Sequence, residues 1–382
     1  MTQRSSVICR EARCDRRDLL GIWDVCRETF QKFQSMSYES FERYNRCLWE
    51  NSPARTTIHP FGWVLEDDRR GIVGFLGLIP LRLKVGNELV PAGGGHSWAV
   101  KSEFRVRSLA LMQRLSDWGE AHPVLITGAS EATARICDRL KLGFRRIPVD
   151  TVSYQLWWPL RPEPLIEWAL RRRGHKALAA LSNITSIPIC ASMTFRKMLR
   201  WGRPLFPCRQ LTVKELDSFD GDFDELWEEQ KGKFGVTCVR TRANLAWRHK
   251  EIPSTLGRTI ILSCYDDNGK LCGYLTLQER RCLGGDPPGL FAVTDCFYDP
   301  QRIEVLHSLL NRAYETARTR GGNVLQVSDT STAIDRLLRM RQPYIRRLRT
   351  WPYWYKAPNA LLERLNNSGD WWPTASDGES NI

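Results

Sequence analysis

The chain has 382 residues, of which 42% are hydrophobic, and a formal net charge of +13. This apolar content is typical of globular proteins, so it excludes a globally disordered chain, and the length favours two domains. The positive charge favours an anionic partner, such as a nucleotide phosphate, a lipid headgroup or a nucleic acid, without selecting among them.

The twelve cysteines include no C-x-x-C pair, and no two histidines have the spacing of metal ligands. We therefore expect free thiols and no metal site. Residues 1–20 lack the apolar run of a signal peptide, and no run approaches the roughly 18 apolar residues of a membrane-spanning helix. These features predict a cytoplasmic protein.

The first 160 residues predict an α/β unit that begins with helices and continues with a hairpin. Two apolar runs flank the turn signal DDRRG, and apolar residues recur at helical spacing over 108–120. The segment TVSYQLWW is expected to close this unit as its last strand. In chain order the predicted strands are 61–66, 72–79, 81–85, 96–100, 124–127 and 151–158, and helices are predicted at 108–120 and 131–141.

The second half of the chain repeats the first at a spacing of about 200 residues. DLLGIWDVCRETF (18–30) matches DFDELWEEQKGKF (222–234), and three further blocks match in the same order. A nearly constant spacing over several blocks predicts two copies of one domain. The matched pairs include Trp23 with Trp227, Trp49 with Trp247, Gly74 with Gly273, and Phe144 with Tyr344. The predicted boundaries are a first domain over 1–160, a basic helical linker over 161–208, a second domain over 209–358, and a C-terminal segment with a polar tail over 359–382.

The linker mixes apolar residues with the basic run RRRGHK (171–176). One interpretation is a helix packed between the domains with its basic face in water. The other is an interfacial helix that contacts the inner face of an anionic membrane through 165–201.

The turn RVRSLA (105–110) separates a predicted strand from a predicted helix. A strand that runs directly into a helix leaves unpaired N–H groups, which bind anions together with the local dipole. Arg105 and Arg107 add positive charge, and the small residues Ser108 and Ala110 allow a diphosphate to approach the backbone. The alternative is that Ser108 only caps or opens the helix.

The turn and the order of elements resemble the GNAT superfamily of acyl-CoA N-acyltransferases. The family turn is Q/R-x-x-G-x-G/A; this chain has Arg105 and Ala110 at its ends, with Ser108 at the central glycine. LGF (142–144) resembles the family's close of the following helix, although Arg139 stands where a tyrosine acid is usual. The resemblance implies an α/β fold of two tandem GNAT-like domains, each a mixed twisted sheet flanked by helices.

The resemblance also implies acetyl-CoA or another acyl-CoA as co-substrate, bound once, in the first copy. The second copy has Asp299 at the equivalent turn, and its charge would repel a phosphate. The implied CoA-binding residues are Trp98 and Val100 along the pantetheine arm, and Arg105, Val106, Arg107, Ser108, Leu109 and Ala110 at the diphosphate.

Two further blocks resemble a tandem subgroup found in bacterial gene sets for exopolysaccharide and cell-envelope synthesis. RANLAWR (242–248) is similar to its R-x-x-L-x-W-R block, and Trp371, Thr374 and Asp377 resemble its W-x-x-T-x-x-D close. This implies acyl transfer to an amino group of a small-molecule or lipid-linked sugar precursor of the envelope. Two other interpretations are a catalytically silent tandem that binds a partner, and a Fem-type aminoacyl transferase.

Acyl transfer to an amine requires a base near the acceptor nitrogen. His96 shares a strand face with Trp98 and is a candidate base. Asp295, at nearly the same place in the second copy, is a candidate to bind or deprotonate the acceptor. The alternatives are a hydrogen-bonded strand histidine and a carboxylate paired with an arginine.

The segment RMRQPYIRRLRT (339–350) holds five arginines. It favours either a surface that meets an anionic acceptor or a solvated face. No recognised nucleic-acid module is visible, so we do not expect a nucleic-acid partner.

Overall fold

The computed structural model describes residues 6–175, 179, 211–253, 256–281, 286–328, 331–367 and 371–378. The strands of the first half are β1 (Val7–Glu11), β2 (Gly62–Asp67), β3 (Gly71–Val85), β4 (Glu88–Val100), β5 (Val124–Ile126), β6 (Arg145–Arg146) and β7 (Tyr154–Pro159). Its α-helices are α1 (Arg16–Thr29), α2 (Gln31–Gln34), α3 (Tyr38–Trp49), α4 (Ser108–Gly119), α5 (Glu131–Arg139) and α6 (Pro162–Arg172).

The second half follows the same order of elements. Its strands are β8 (Thr212–Leu216), β9 (Val236–Cys238), β10 (Gly257–Tyr265), β11 (Leu271–Arg280), β12 (Leu290–Tyr298), β13 (Val324–Ser328), β14 (Tyr344–Arg347) and β15 (Trp354–Lys356). Its α-helices are α7 (Asp222–Gln230), α8 (Arg242–Ala246), α9 (Ile303–Thr319), α10 (Thr332–Met340) and α11 (Asn359–Leu365).

Local sequence signals explain where several elements begin and end. The Asp15 carboxylate accepts a hydrogen bond from the Asp18 N–H (2.9 Å) and caps the start of α1. Gly71 closes the turn between β2 and β3 with a φ of +70°, a conformation that glycine adopts without strain. The hairpin predicted at DDRRG is confirmed, whereas the predicted strands 72–79 and 81–85 form the single strand β3.

Two mixed sheets carry the two copies. The first sheet has the order β1-β2-β3-β4-β5-β15-β6, with β9 paired to the end of β3. The second has the order β8-β10-β11-β12-β13-β7-β14. Position by position the two orders correspond, with helices on the sheet faces. The predicted repeat is therefore confirmed as two α/β units of one topology.

The copies exchange their last strands. The sequence predicted that β7 would close the first copy, but β7 lies between β13 and β14 in the second sheet. In return, β15 lies between β5 and β6 in the first sheet. Each sheet thus needs a strand from the other half of the chain, and the two halves form one structural unit. The domain boundaries given above stay a prediction.

A buried lysine anchors the exchanged strand β15. Lys356 Nζ donates to Ser116 Oγ on α4 (2.7 Å) and to the Leu142 carbonyl (2.9 Å), and it pairs with Glu120 (2.5 Å). We expect Lys356→Met to lower the free energy of unfolding by about 1–3 kcal/mol, because it leaves buried acceptors unpaired. Chemical denaturation tests this. Lys250→Met on an exposed residue is the control, and equal stability of the two variants would contradict the prediction.

Side chains from both halves also share one hydrophobic core. Val236 and Trp247 pack into the cluster that covers one face of the first sheet, together with Tyr355 of β15. Trp247 Nε1 donates to the Cys47 carbonyl at 2.7 Å. This packing fixes the segment that follows α7 against the first copy.

The linker begins as α6, where the rings of Trp168 and Trp157 lie 6.2 Å apart. Residues 176–178 and 180–210 lie outside the described residues, so the interfacial helix proposed for 165–201 stays a prediction. Within the described ranges, no helix combines the length and the apolar character needed to cross a membrane. The cysteines in those ranges are free thiols, as the sequence predicted.

Candidate functional site

A cleft opens in the first copy where β4 and β5 separate. The two parallel strands pair only at Gly93–Val124 and Gly94–Leu125. Beyond that point an extra residue in β4 forms a bulge, and Ser97 has a φ of +50°. Bulges redirect side chains and end strand pairing. The bulge therefore breaks the alternation expected for His96, Trp98 and Val100. His96, Ser97 and Trp98 all line the cleft, whereas Val100 does not.

The cleft contains about 550 Å³ of empty space and is mostly apolar. Its apolar lining includes Phe30, Leu76, Met112, Leu115 and Ile126. Two buried polar atoms in its wall, Trp98 Nε1 and Thr127 Oγ1, have no hydrogen-bond partner among the described residues. Buried polar groups are usually paired, so these two atoms fit a ligand that supplies hydrogen-bonding groups along an otherwise apolar channel.

His96 lies on the floor of this cleft. Its side chain is buried, and its ring meets Phe75 edge to face, with centroids 5.8 Å apart. The ring also lies so close to Gly77 that a Cβ there would be 2.0 Å from His96 Nε2. Gly77 is therefore the residue that makes room for an inward-facing imidazole at this position.

The turn between β4 and α4 differs from the predicted direct junction. Residues Ser102–Arg107 form a 3₁₀-helix that leads into α4, and the Ser108 N–H donates to the Arg105 carbonyl. Ser108 opens α4 without a side-chain cap, because the N-cap position is Arg107. Arg105 and Arg107 are exposed, and so is Val106, with 85% of its surface accessible. The turn thus presents two cationic side chains to solvent at the helix start.

The equivalent turn of the second copy carries its own anion. Asp299 Oδ1 accepts from the Gln301 N–H (2.9 Å), and Oδ2 pairs with Lys233. Burial opposes ionisation of Asp299, but its hydrogen bond with Lys233 leaves its pKa below the ordinary value. A carboxylate therefore occupies the place beside this helix where a phosphate would have to lie.

The C-terminal segment 371–378 narrows the cleft of the second copy, which contains about 350 Å³ of empty space. Pro373 and Thr374 form part of its wall, and the Ser376 N–H donates to the Thr294 carbonyl at the β12 bulge (3.0 Å). The segment then approaches the first copy, where a Cβ on Gly378 would lie 1.9 Å from Thr127 Oγ1. It thus extends from the smaller cleft to the larger one.

A buried cluster of charges lies beside this segment. Arg240, with 3% of its side chain exposed, donates from Nε to Asp295 (3.0 Å) and from Nη2 to Asp377 (2.9 Å). Nη2 also donates to Thr374 Oγ1 (2.9 Å). Tyr274 donates its hydroxyl to the second oxygen of Asp295 (2.8 Å). One guanidinium therefore links the second sheet to the C-terminal segment.

Burial sets the protonation of this cluster. It opposes ionisation of Asp295, but the adjacent Arg240 guanidinium holds the pKa of Asp295 below its ordinary value. Burial raises the pKa of Asp377. It works against the charged form of Arg240, yet the two carboxylates raise the pKa of Arg240. Burial lowers the pKa of His249 to about 4, so its imidazole is neutral at pH 7.

The two predicted catalytic residues, His96 and Asp295, lie in different surroundings. His96 lines the open cleft, whereas Asp295 lies in the buried cluster with both oxygens engaged, the alternative that the sequence left open for it. The sequence did not single out Arg240, although it lies two residues before the quoted block 242–248. That block and the C-terminal block meet in space, because Arg248 Nη1 donates to the Gly378 carbonyl (2.8 Å).

The arginine-rich segment 339–350 is divided between the interior and the surface. Arg341 is buried and donates to Asn311 Oδ1 (2.9 Å), and Arg339 pairs with Asp335 (2.6 Å). Arg347 and Arg349 are exposed. The described residues contain no group of three or more histidine, cysteine or acidic side chains able to hold a metal ion.

Comparison with known proteins identifies the fold. No protein-family model and no curated protein matches the sequence. A probable N-acyltransferase from Enterococcus faecalis superposes with a TM-score of 0.57 at 11% identity, covering 92% of this chain and 72% of that chain. N-myristoyltransferase from Saccharomyces cerevisiae with bound myristoyl-CoA gives 0.53 at 13%, covering 93% and 84%.

A GCN5-related N-acetyltransferase from Anabaena variabilis gives a TM-score of 0.54 at 12% identity, covering 92% of this chain and 72% of that chain. Likeness at this level of identity concerns the fold and not the reaction. Together with the two corresponding sheets, it shows that the chain has the fold of the GNAT superfamily, present in two copies that exchange their last strands.

Proposed function

We propose that the chain is an N-acyltransferase that binds one acyl-CoA in the cleft between β4 and β5. The observation that carries the proposal is the difference between the two copies. The first copy has an open apolar cleft with two unpartnered polar atoms, Trp98 Nε1 and Thr127 Oγ1. In the second copy the corresponding cleft contains only about 350 Å³ of empty space, Pro373 and Thr374 form part of its wall, and Asp299 lies in the turn before α9. The likeness to an enzyme with bound myristoyl-CoA supports the same reading.

Different residues of the first copy suit different parts of the proposed acyl-CoA ligand. Arg105 and Arg107 at the exposed turn suit the diphosphate, because guanidinium groups pair well with phosphate oxygens. Trp98 and Thr127 lie where a pantetheine arm would offer amide groups to the wall of the cleft. Backbone N–H groups of 106–110 that the 3₁₀ turn leaves accessible would complete the diphosphate site.

In the proposed reaction the acceptor nitrogen attacks the thioester carbonyl carbon. The C–N bond forms as the C–S bond breaks, the nitrogen loses a proton, and the CoA sulfur gains one. We propose His96 as the base, since it is the titratable side chain in the wall of the cleft. Asp295 is held by Arg240 and Tyr274, so we assign it to fixing the charged cluster rather than to proton transfer.

We further propose that the acceptor is an amino group on a cell-envelope or exopolysaccharide precursor. The support is the resemblance of the blocks 242–248 and 371–377 to the tandem subgroup with that role. The block 371–377 is part of the C-terminal segment, and the block 242–248 contacts that segment where Arg248 donates to the Gly378 carbonyl; the segment extends to Thr127 of the first cleft. Because these two blocks resemble the same subgroup and also lie together in space, we expect them to act on the same substrate.

Calorimetry with acetyl-CoA and myristoyl-CoA tests the proposal on the intact chain. We expect saturable binding of one equivalent, and a roughly threefold to tenfold higher Kd in Thr127→Val, which removes the hydroxyl proposed to hydrogen-bond the ligand. Thr319→Val on an exposed part of α9 is the control. If the folded protein shows no heat of binding with either ligand, the result favours the alternative of a catalytically silent tandem over an N-acyltransferase.

A further inference from the structure

A pocket lies between the two copies, next to the charged cluster. It contains about 370 Å³ of empty space. The residues that matter for its chemistry are Arg82 of β3, Arg240, Arg248, His249, Ser376 and Asp377. We call it the inter-copy pocket. It takes Leu81 and Arg82 from the first copy and its other walls from the second copy and the C-terminal segment.

The charges of this pocket do not cancel. Arg240 pairs with two carboxylates, Asp295 and Asp377. Among the described residues, Arg248 donates to the Gly378 carbonyl and lies over the Trp247 ring, with 4.9 Å to its centroid. Neither Arg248 nor the exposed Arg82 makes an ion pair with any described residue. Three arginines against two carboxylates therefore leave the lining of the pocket with a net positive charge, which favours an anion there.

Two buried polar atoms point to the same conclusion. Ser376, with 7% of its surface exposed, has a hydroxyl without a hydrogen-bond partner in the described part of the chain. The same holds for His249 Nε2. Both residues line the pocket. A hydroxyl and a neutral imidazole can each donate to an anion, and buried polar groups are seldom left unpaired.

We propose that the inter-copy pocket binds an anionic group of the acceptor, a phosphate or a carboxylate, through Arg248 and Ser376, with Arg82 at its mouth. That the bound anion belongs to the acceptor rests on the proposed acyl transfer, whereas the anion site itself does not. The C-terminal segment links the two places, because Ser376 and Asp377 line the pocket while Gly378 touches Thr127 of the cleft. An acceptor held by its anion would thus be anchored beside the proposed acyl-CoA site.

The test uses the intact chain carrying Arg105→Glu and Arg107→Glu, so that the turn beside α4 contributes no anion binding. Inorganic phosphate and acetate are titrated separately, with detection by ³¹P and ¹³C NMR line broadening. We expect saturable binding of one of them, and its identity distinguishes a phosphate from a carboxylate. Arg82→Gln and Ser376→Ala should each raise the Kd about fivefold or more.

Arg347→Gln, an exposed arginine on β14 outside the pocket, should leave the Kd unchanged. The proposal is overturned if neither anion binds below about 10 mM, or if the control weakens binding as much as Arg82→Gln does. Arg82 is exposed, so its variant decides the question even if Ser376→Ala fails to fold. Acyl-CoA binding to the unmodified chain is measured separately by calorimetry. If no acyl-CoA binds, the proposed acyltransferase function is rejected, but the measured anion affinity still tests the anion site.

Discussion

Reversing the charges of Arg105 and Arg107 together is expected to weaken CoA binding at least about 100-fold. Both side chains are exposed at the start of α4, and neither is paired with a described residue. Each charge-assisted hydrogen bond to a phosphate contributes about 1.5–3 kcal/mol, so losing two costs about 3 kcal/mol or more. Since about 1.4 kcal/mol changes an equilibrium constant tenfold, the loss exceeds two orders of magnitude even before repulsion is added.

The measurement is calorimetric titration of CoA into the double variant Arg105→Glu/Arg107→Glu. The matched control is Arg347→Glu/Arg349→Glu, which changes the net charge equally at an exposed part of the second half. If both double variants bind CoA with similar weakened affinity, the effect is one of overall charge. Unchanged binding in the first variant would show that the turn does not hold the diphosphate.

The repeat made the fold predictable. Trp23 and Trp227 lie on the first helix of each half, and Gly74 and Gly273 lie on the third strand of each sheet. Hydrophobic periodicity then located most strands and helices, because burial of one face dictates the pattern. The β2–β3 hairpin and α4 follow in this way.

The exchange of β7 and β15 was not predictable from the sequence. Both strands are short, and each buries large side chains such as Trp158 and Tyr355 in the sheet it joins. A strand's pattern shows which face is buried, but not which neighbour it pairs with. The choice depends on chain connections through the linker and residues 348–353, which carry no signal of their own.

The bulge at Ser97 and the charged cluster were missed for related reasons. An extra residue in β4 shifts the faces of His96 and Trp98, and the glycine run 93–95 just before it was a local signal that the prediction did not use. Arg240 reads as one of 56 basic residues, and in most proteins arginine is exposed. Only the fold places it between Asp295 and Asp377, which lie far apart in the chain.

Removing the buried Arg240 is expected to destabilise the folded protein strongly. We expect Arg240→Met to lower the free energy of unfolding at pH 7 by about 3–5 kcal/mol, because it leaves two buried carboxylates without a counter-charge. Urea or guanidinium denaturation measures the loss. The triple variant Arg240→Met/Asp295→Asn/Asp377→Asn should recover most of it, since no buried charge remains. If Arg240→Met is as stable as the parent, the ion pairs of Arg240 with Asp295 and Asp377 contribute little to the free energy of unfolding.

The loss should also depend on pH, with a defined sign. In the parent the pKa of Asp295 is lowered, so its stabilising effect is full above the unfolded-state pKa and disappears as the pH falls through the folded value. Burial already raises the pKa of Asp377 in the parent. Without Arg240, burial would also raise the pKa of Asp295 above the unfolded value, and both carboxylates would become protonated as the pH falls. The difference between parent and Arg240→Met should therefore shrink from pH 7 to pH 4. A constant difference over that range would show that the destabilisation comes from lost packing, because packing does not titrate.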